Sequence, residues 1–470
     1  MQEEQTGFHR SLGLLDATMI VVGSMIGSGI FIVSADIARS VGGTGWLMVV
    51  WALTGVLTLI AAVSYGELSA MFPKAGGQYV YLREAFNPLV AFLYGWAFFA
   101  VIQTGTIAAV GVAFAKFAAY IFPSLDVTNV LADLGFMQIN AAQVVSILMI
   151  LFLTWVNSRG IEGGKWIQTL FTITKITSLL GLILLGLFWG TKAQIWNANW
   201  ANAWDFGTRG QFDFTPVTGI AILTTIAVAM VGSLFSSDSW NNVTFIAGEI
   251  KNPQRNIGLS LFLGTVIVTI IYLLANVMYV SVLDMGDIAY AKSDRVGVAA
   301  ANAIFGDVGT TIIALMIMVS TFGCVNGLIL AGARVYYTMA NDGLFFRKTG
   351  ELNAKGVPEY GLWIQAVWAC LLCLSGKYGD LLDYVIFVVL IFYILTIAGI
   401  FILRKKQPDA VRPYKAFGYP ILPALYIVLA SGISISLFIY KPTFTWPGLG
   451  IVLLGIPLYF LAVGRKEKAQ

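Results

Sequence analysis

The sequence predicts an all-α membrane protein of twelve transmembrane helices, in which the second set of five inverts the first. Three observations predict it. Of 470 residues, 58% are hydrophobic and only 11% charged, whereas a soluble chain carries about 25% charged residues. The apolar residues run in continuous stretches of about 20 or more, the length that crosses a bilayer as a helix. Two of those stretches, the first and the sixth, are weakened at their centres. Outer-membrane barrels are excluded, because their strands alternate apolar and polar residues over about 10 positions.

In chain order the segments are 14–38, 43–70, 88–121, 139–157, 163–190, 216–246, 257–283, 308–340, 358–375, 379–403, 418–440 and 447–464. The first carries "GSMIGSGIF", Gly23 to Phe31, at its middle. Glycine costs about 1 kcal/mol relative to alanine in a helix interior, so this run spoils the helix. The third holds Lys116 near its outer end, within reach of water by snorkelling. The fifth holds Lys175 in "IQTLFTITKITSLLGL", flanked by apolar residues on both sides. A buried ammonium that far from water faces protein or a cavity. The sixth reads "VAMVGSLFSSDSWNNVTFIAGEI", Val228 to Ile250. Between Gly232 and Asn242 it has four serines, one aspartate and two asparagines, which compete with the helix for backbone hydrogen bonds. In the ninth, Cys370-x-x-Cys373 reads as two small residues of a membrane helix rather than a redox pair. The tenth contains the apolar run "VIFVVLIFYIL". The longest connections, 191–215 and 284–307, are too short for a soluble domain.

Lys and Arg set the orientation. With a cytoplasmic N-terminus, nineteen of the 28 fall on the cytoplasmic side and seven outside, with Lys116 and Lys175 inside spans. Both termini are therefore expected in the cytoplasm of a cell-membrane protein. The opening "MQEEQTGFHRSLG" is polar and leads straight into the first span, unlike a cleavable signal peptide. The run "RKKQPDAVRPYK" reads as a positive-inside anchor, ahead of a site for anionic lipid. A net charge of +4 calls for no nucleic-acid partner. The single histidine, His9, makes no metal cluster, and no phosphate-binding loop or other cofactor motif is present.

The two weak centres lie five spans apart, and five is odd, so the second set enters the membrane from the opposite side. Broken helices at matching positions of two halves mark an inverted-repeat transporter and its midplane site. Unwinding frees N–H and C=O groups, which hydrocarbon tolerates only where they line a cavity or a ligand. A break also presents a partly positive helix N-terminus and a partly negative C-terminus. A small zwitterion such as an amino acid matches both. Gly23-x-x-x-Gly27 also fits a helix-packing motif, but two weak centres at related positions, one with an aspartate, favour a site. A channel would want a continuous polar stripe, and an enzyme a nucleophile or metal set beside Lys175 and Asp238. Neither is present.

"GSMIGSGIF" resembles the first-span signature of the amino acid–polyamine–organocation superfamily. "LFSSDSWNNVTFIAGEIKNPQRN" resembles the sixth span of its L-type amino acid transporter branch. "NGLILAGARVYYTMANDGLFF" and "LRKKQPDAVRPYKAFGYPILPALYI" resemble the eighth span and the loop after the tenth. The resemblance implies the leucine-transporter fold. The first repeat would be 14–190, the second 216–403 and two added helices 418–464, between cytoplasmic termini 1–13 and 465–470. It implies that amides of Met25, Ile26, Gly27, Ser28 and Gly29 bind the substrate carboxylate, with the Ser28 hydroxyl near. Carbonyls of Phe235, Ser236 and Asp238 would bind the ammonium. Phe235 would close over the substrate, and Asn241 would join the pocket halves or cap the second half-helix. Lys175 matches a fifth-span lysine that bonds carbonyls near Gly23 to Ile26 in place of sodium, and a proton-coupling role for it stays open. Trp240 would pack at the pocket edge.

Two positions depart from the branch. Asp238 stands where a small residue is usual. It would cap the broken helix, carry a proton, or act as counter-charge to a cationic amino acid or polyamine. The apolar tenth span still argues for neutral side chains, moved by sodium-independent exchange or proton-coupled uptake. Animal members also link to a glycoprotein through a cysteine between the third and fourth spans. Residues 122–140 have none, so no disulfide-linked heavy chain is expected.

Overall fold

In the computed structural model the described residues are 10–133, 135, 138–375 and 378–467. His9, Lys377 and Lys468 lie outside them, as do the side chains of Lys165, Arg465 and Lys466. The chain forms α1 (Leu14–Met25), α2 (Ser34–Val41), α3 (Thr44–Met71), α4 (Gln78–Ala85), α5 (Pro88–Ile121) and α6 (Ala141–Ser158). There follow α7 (Ile161–Leu185), α8 (Ala193–Ala201), α9 (Ala221–Ser236), α10 (Asn242–Phe245), α11 (Pro253–Val282) and α12 (Met285–Ala289). The last are α13 (Val296–Asn341), kinked at Gly306, α14 (Glu359–Ser375), α15 (Tyr378–Lys406), α16 (Ile421–Tyr440) and α17 (Pro442–Glu467). Two antiparallel hairpins, β1 (Val130–Asp133) with β2 (Gln138–Asn140) and β3 (Gly207–Arg209) with β4 (Phe214–Pro216), complete the described chain.

Among the described residues nine helices are long and apolar enough to cross a bilayer. The expected first and sixth spans are each interrupted, giving α1 with α2 and α9 with α10, and the ninth is the 17-residue α14. Local chemistry sets several starts. Asn87 accepts from the Val90 N–H at the head of α5, with Pro88 in the first turn. Asn140 and Gln143 form a reciprocal capping box on α6. The long helices pack closely where one partner is small. A β-carbon on Gly55 of α3 would lie 2.2 Å from the Thr269 methyl of α11.

Charged clusters close both ends of the bundle. At one end Glu67 of α3 is buried and takes the Arg404 guanidinium on both oxygens, at 3.0 and 2.7 Å. It also meets Arg412 at 3.4 Å and the Ala416 N–H at 2.7 Å. Two arginines of "RKKQPDAVRPYK" are thus turned onto a helix rather than only toward headgroups, because a buried carboxylate demands paired charge. At the same end the N–H groups of Ser11 and Leu12 bond the Glu249 carbonyl, tying the start of the first broken helix to the end of the second. At the other end Asp294 sits between Arg39 of α2 (2.8 Å) and Lys116 of α5 (3.5 Å), so the Lys116 side chain ends on a carboxylate.

Glu67→Ala strands two guanidiniums and should destabilise the fold by on the order of 3 kcal/mol. Thermal unfolding of the purified protein in detergent should show this loss, while Arg347→Ala should stay within about 0.5 kcal/mol of the parent.

Candidate functional site

The first break follows from its glycines. Helical bonding stops at the Ile26 N–H on the Val22 carbonyl, and Ile26 itself turns to extended ψ. It resumes at the Phe31 N–H on the Ser28 carbonyl, in a short 3-10 turn over Gly29–Phe31. The amides of residues 27–29 therefore belong to neither helical ladder. An uninterrupted helix would have bonded them to the carbonyls of Gly23, Ser24 and Met25. Those three carbonyls find other donors. The Lys175 ammonium of α7, 1% exposed, bonds the Gly23 carbonyl. The Cys324 thiol of α13 reaches the Ser24 carbonyl at 3.6 Å, and the Tyr272 hydroxyl of α11 reaches the Met25 carbonyl at 2.9 Å.

The second break runs from Ser237 to Asn241. Ser239 adopts a positive φ of 64°, which ends α9 and lets α10 restart with the Asn242 N–H on the Ser239 carbonyl. Tyr272 joins the two breaks, because its hydroxyl lies 2.9 Å from the Ser236 carbonyl as well. They also touch directly: a β-carbon on Gly29 would fall 1.9 Å from the Ser236 Oγ and 2.7 Å from its Cβ. Only glycine permits that approach. Met25 to Gly29 and Phe235 to Asn241 are all buried.

Two expectations about side chains change. The Asp238 Oδ1 accepts a 2.6 Å hydrogen bond from the Tyr393 hydroxyl of α15, with the Ser239 N–H as its local neighbour. The tenth-span run is therefore not wholly apolar where it meets the break. Asn241 occupies the N-cap position of α10, but its side chain makes no cap bond. Its Nδ2 donates instead to Gln78 Oε1 of α4, at 3.1 Å, and Gln78 Nε2 donates to Thr396 Oγ1 of α15. The second half-helix is thus held by its neighbours, Gln78 on α4 and, through it, Thr396 on α15. Trp240 packs as expected, its ring centroid 4.8 Å from Tyr65 and 5.3 Å from Tyr393. Sequence reasoning missed Tyr272, Cys324, Tyr393 and Gln78. A tyrosine or cysteine inside an apolar span gives no local signal of what it bonds.

Two small voids of about 20 Å³ each flank the Asp238–Tyr393 bond, space for roughly one or two waters. One is lined by Gln103, Thr106, Ser239, Asn241 and Asn242, the other by Leu57, Ala61, Leu234, Trp240 and Leu390.

Two interrupted helices that meet inside an apolar bundle, their freed carbonyls held by side chains of other helices, define a multi-pass membrane transporter. The chain belongs to the amino acid permease family, which matches residues 12–461, within the amino acid–polyamine–organocation superfamily. It is 29% identical over 462 residues to the large neutral amino acids transporter small subunit 2 of Oryctolagus cuniculus, covering 98% of this chain and 82% of that protein. It is 29% identical over 469 residues to the serine/threonine exchanger SteT of Bacillus subtilis, covering 99% and 100%. The human b(0,+)-type amino acid transporter 1 is 28% identical over 478 residues, covering 99% and 90%. The family and these relatives are transporters and not enzymes.

Two substitutions test the junction of the breaks by melting of the purified protein. Gly29→Val should lower the melting temperature through its clash with Ser236, and Ser236→Gly should recover part of the loss. Tyr272→Phe leaves the carbonyls of Met25 and Ser236 without their hydroxyl donor and should cost about 1–3 kcal/mol.

Proposed function

We propose that the protein is an alternating-access secondary transporter of neutral L-amino acids, independent of sodium. The observation that supports this best is the direct apposition of the two breaks at Gly29 and Ser236, joined by Tyr272. An amino acid's carboxylate would meet the amides of Gly27 to Gly29, helped by the Ser28 hydroxyl, because the Met25 and Ile26 amides expected to share this role stay within the α1 ladder. Its ammonium would meet the carbonyls of Phe235, Ser236 and Asp238. Each carbonyl has a second lone pair for this purpose. Phe235 closes over the substrate, and Asn241 stiffens the second half-helix through Gln78. Lys175 holds the end of α1 by its bond to the Gly23 carbonyl, the place a sodium ion takes in coupled relatives of the fold. Substrate bridging the breaks draws the two half-sites together, and rocking of the bundle then opens the far side.

The architecture in this reading has twelve spans: the nine long helices, the two broken ones and α14. Residues 14–190 and 216–403 are inverted repeats, and 418–464 add two helices. Both termini face the cytoplasm of the cell membrane, by the distribution of Lys and Arg. Two relatives carry "small subunit" or exchanger in their names. Exchange suits this chain, and the absence of cysteine from residues 122–140 suits a carrier that works without a disulfide-linked heavy chain. A second reading, a carrier of cationic amino acids or polyamines with Asp238 as counter-charge, is favoured by one observation. No Lys or Arg pairs with Asp238 among the described residues.

Purified protein in liposomes separates these. Uptake of labelled leucine and alanine should saturate, ignore sodium and rise with amino acid inside. Arginine should compete weakly. Ion movement that amino acids do not saturate would overturn the carrier reading. Lys175→Ala should lower uptake about tenfold, as expected for losing a charged hydrogen bond of about 1.5–3 kcal/mol. Unchanged uptake would remove Lys175 from the site. Asp238→Asn that abolishes arginine uptake but spares leucine would replace the first reading with the second.

A further inference from the structure

The second break carries one charge with no counter-charge. Asp238 is 8% exposed, and Tyr393 satisfies only its Oδ1. An ionised carboxylate buried this way costs several kcal/mol unless paired. The titratable groups facing it from the packed elements are tyrosines: Tyr393 of α15, Tyr94 of α5 and Tyr426 of α16. None supplies positive charge.

The first void adjoins this carboxylate. Its wall mixes apolar side chains, Phe98, Ile102 and Val389, with polar ones, and several of the polar donors are engaged elsewhere. Gln103 Nε2 bonds the Leu328 carbonyl, the Thr106 hydroxyl bonds the Ile102 carbonyl, and Asn241 Nδ2 bonds Gln78. Acceptor oxygens of Gln103, Thr106, Asn241 and Asp238 remain. One donor, the buried Asn242 Nδ2, has no partner among the described residues. A void whose lining carries acceptors together with donors, among them Asn242 and the hydroxyl-bearing Ser239 and Tyr94, suits water, which both gives and takes hydrogen bonds.

We infer that Asp238 takes up one proton in each transport cycle, through water in this void, so that amino acid movement carries a proton with it. The inference rests on the transporter reading above. In the step, a proton from water adds to a carboxylate oxygen, and the new O–H bond leaves the group neutral. When the site opens to the other side that bond breaks, and the proton passes to water there; no electrons are exchanged. Closure then buries a neutral acid instead of an anion. Tyr393 links this event to α15. Its hydroxyl donates to the carboxylate and can accept from the acid, so the contact between break and α15 survives either state.

The test is simultaneous recording of labelled alanine and of internal pH, with an enclosed dye, in proteoliposomes. In liposomes loaded without amino acid, so that inward and outward protons do not cancel by exchange, wild type should move about one proton per alanine, equally in sodium and potassium media. Asp238→Glu should keep that ratio, and any flux left in Asp238→Asn should show it reduced at least tenfold. Lys175→Ala should keep the ratio in its residual flux. The inference is overturned if wild type moves alanine without protons, if sodium alters the ratio, if Asp238→Asn keeps it, or if Lys175→Ala loses it. Absence of alanine movement in every arm would instead overturn the transporter reading itself.

Discussion

A backbone carbonyl inside a membrane has to be bonded, and the break at Ile26 takes the helical partner from three in succession. Hydrocarbon offers nothing in exchange. The carbonyls of Gly23, Ser24 and Met25 are instead taken by Lys175, Cys324 and Tyr272, from three different helices. This requirement organises much of the bundle. It accounts for a lysine buried in α7, and it places α7, α11 and α13 around the end of α1. Through Tyr272 it also brings the second break to the first. The amides of residues 27–29 stand outside both helical ladders.

The same logic works in reverse at the second break. There the backbone unwinds through serine, aspartate and asparagine and one left-handed residue, Ser239. The groups that steady it come from outside: Gln78 on Asn241 and Tyr393 on Asp238. The ends of the bundle are clamped by Glu67 with its arginines and by Asp294 between Arg39 and Lys116. The Asp294 cluster is partly exposed, whereas Glu67 and the bonds around α1 are buried.

Much of this was legible in the residues, and the reason is periodicity. Continuous apolar runs announce helices, and glycine or serine clusters announce where they fail, so both breaks and most helix limits could be read directly. Lys175 was legible because a charge in the middle of an apolar run needs a reason. Tyr272, Cys324 and Tyr393 were not, because each is unremarkable in a membrane helix and acts only through what the fold brings to it. Asn241 was legible as a polar residue in the break but its partner was not, since Gln78 lies far off in sequence on a short helix outside the spans. The loop "RKKQPDAVRPYK" misled in part: its charge pattern speaks of membrane sidedness, while Glu67, which captures two of its arginines, sits hundreds of residues earlier.

The central claim is that an amino acid is held between the two breaks. An experimental density map of the purified protein with saturating leucine tests it most directly. The account predicts density for the ligand between the amides of residues 27–29 and the carbonyls of Phe235 and Ser236, with both helices still interrupted. Ligand density elsewhere, or continuous helices through Ile26 and Ser239 with leucine bound, would contradict it.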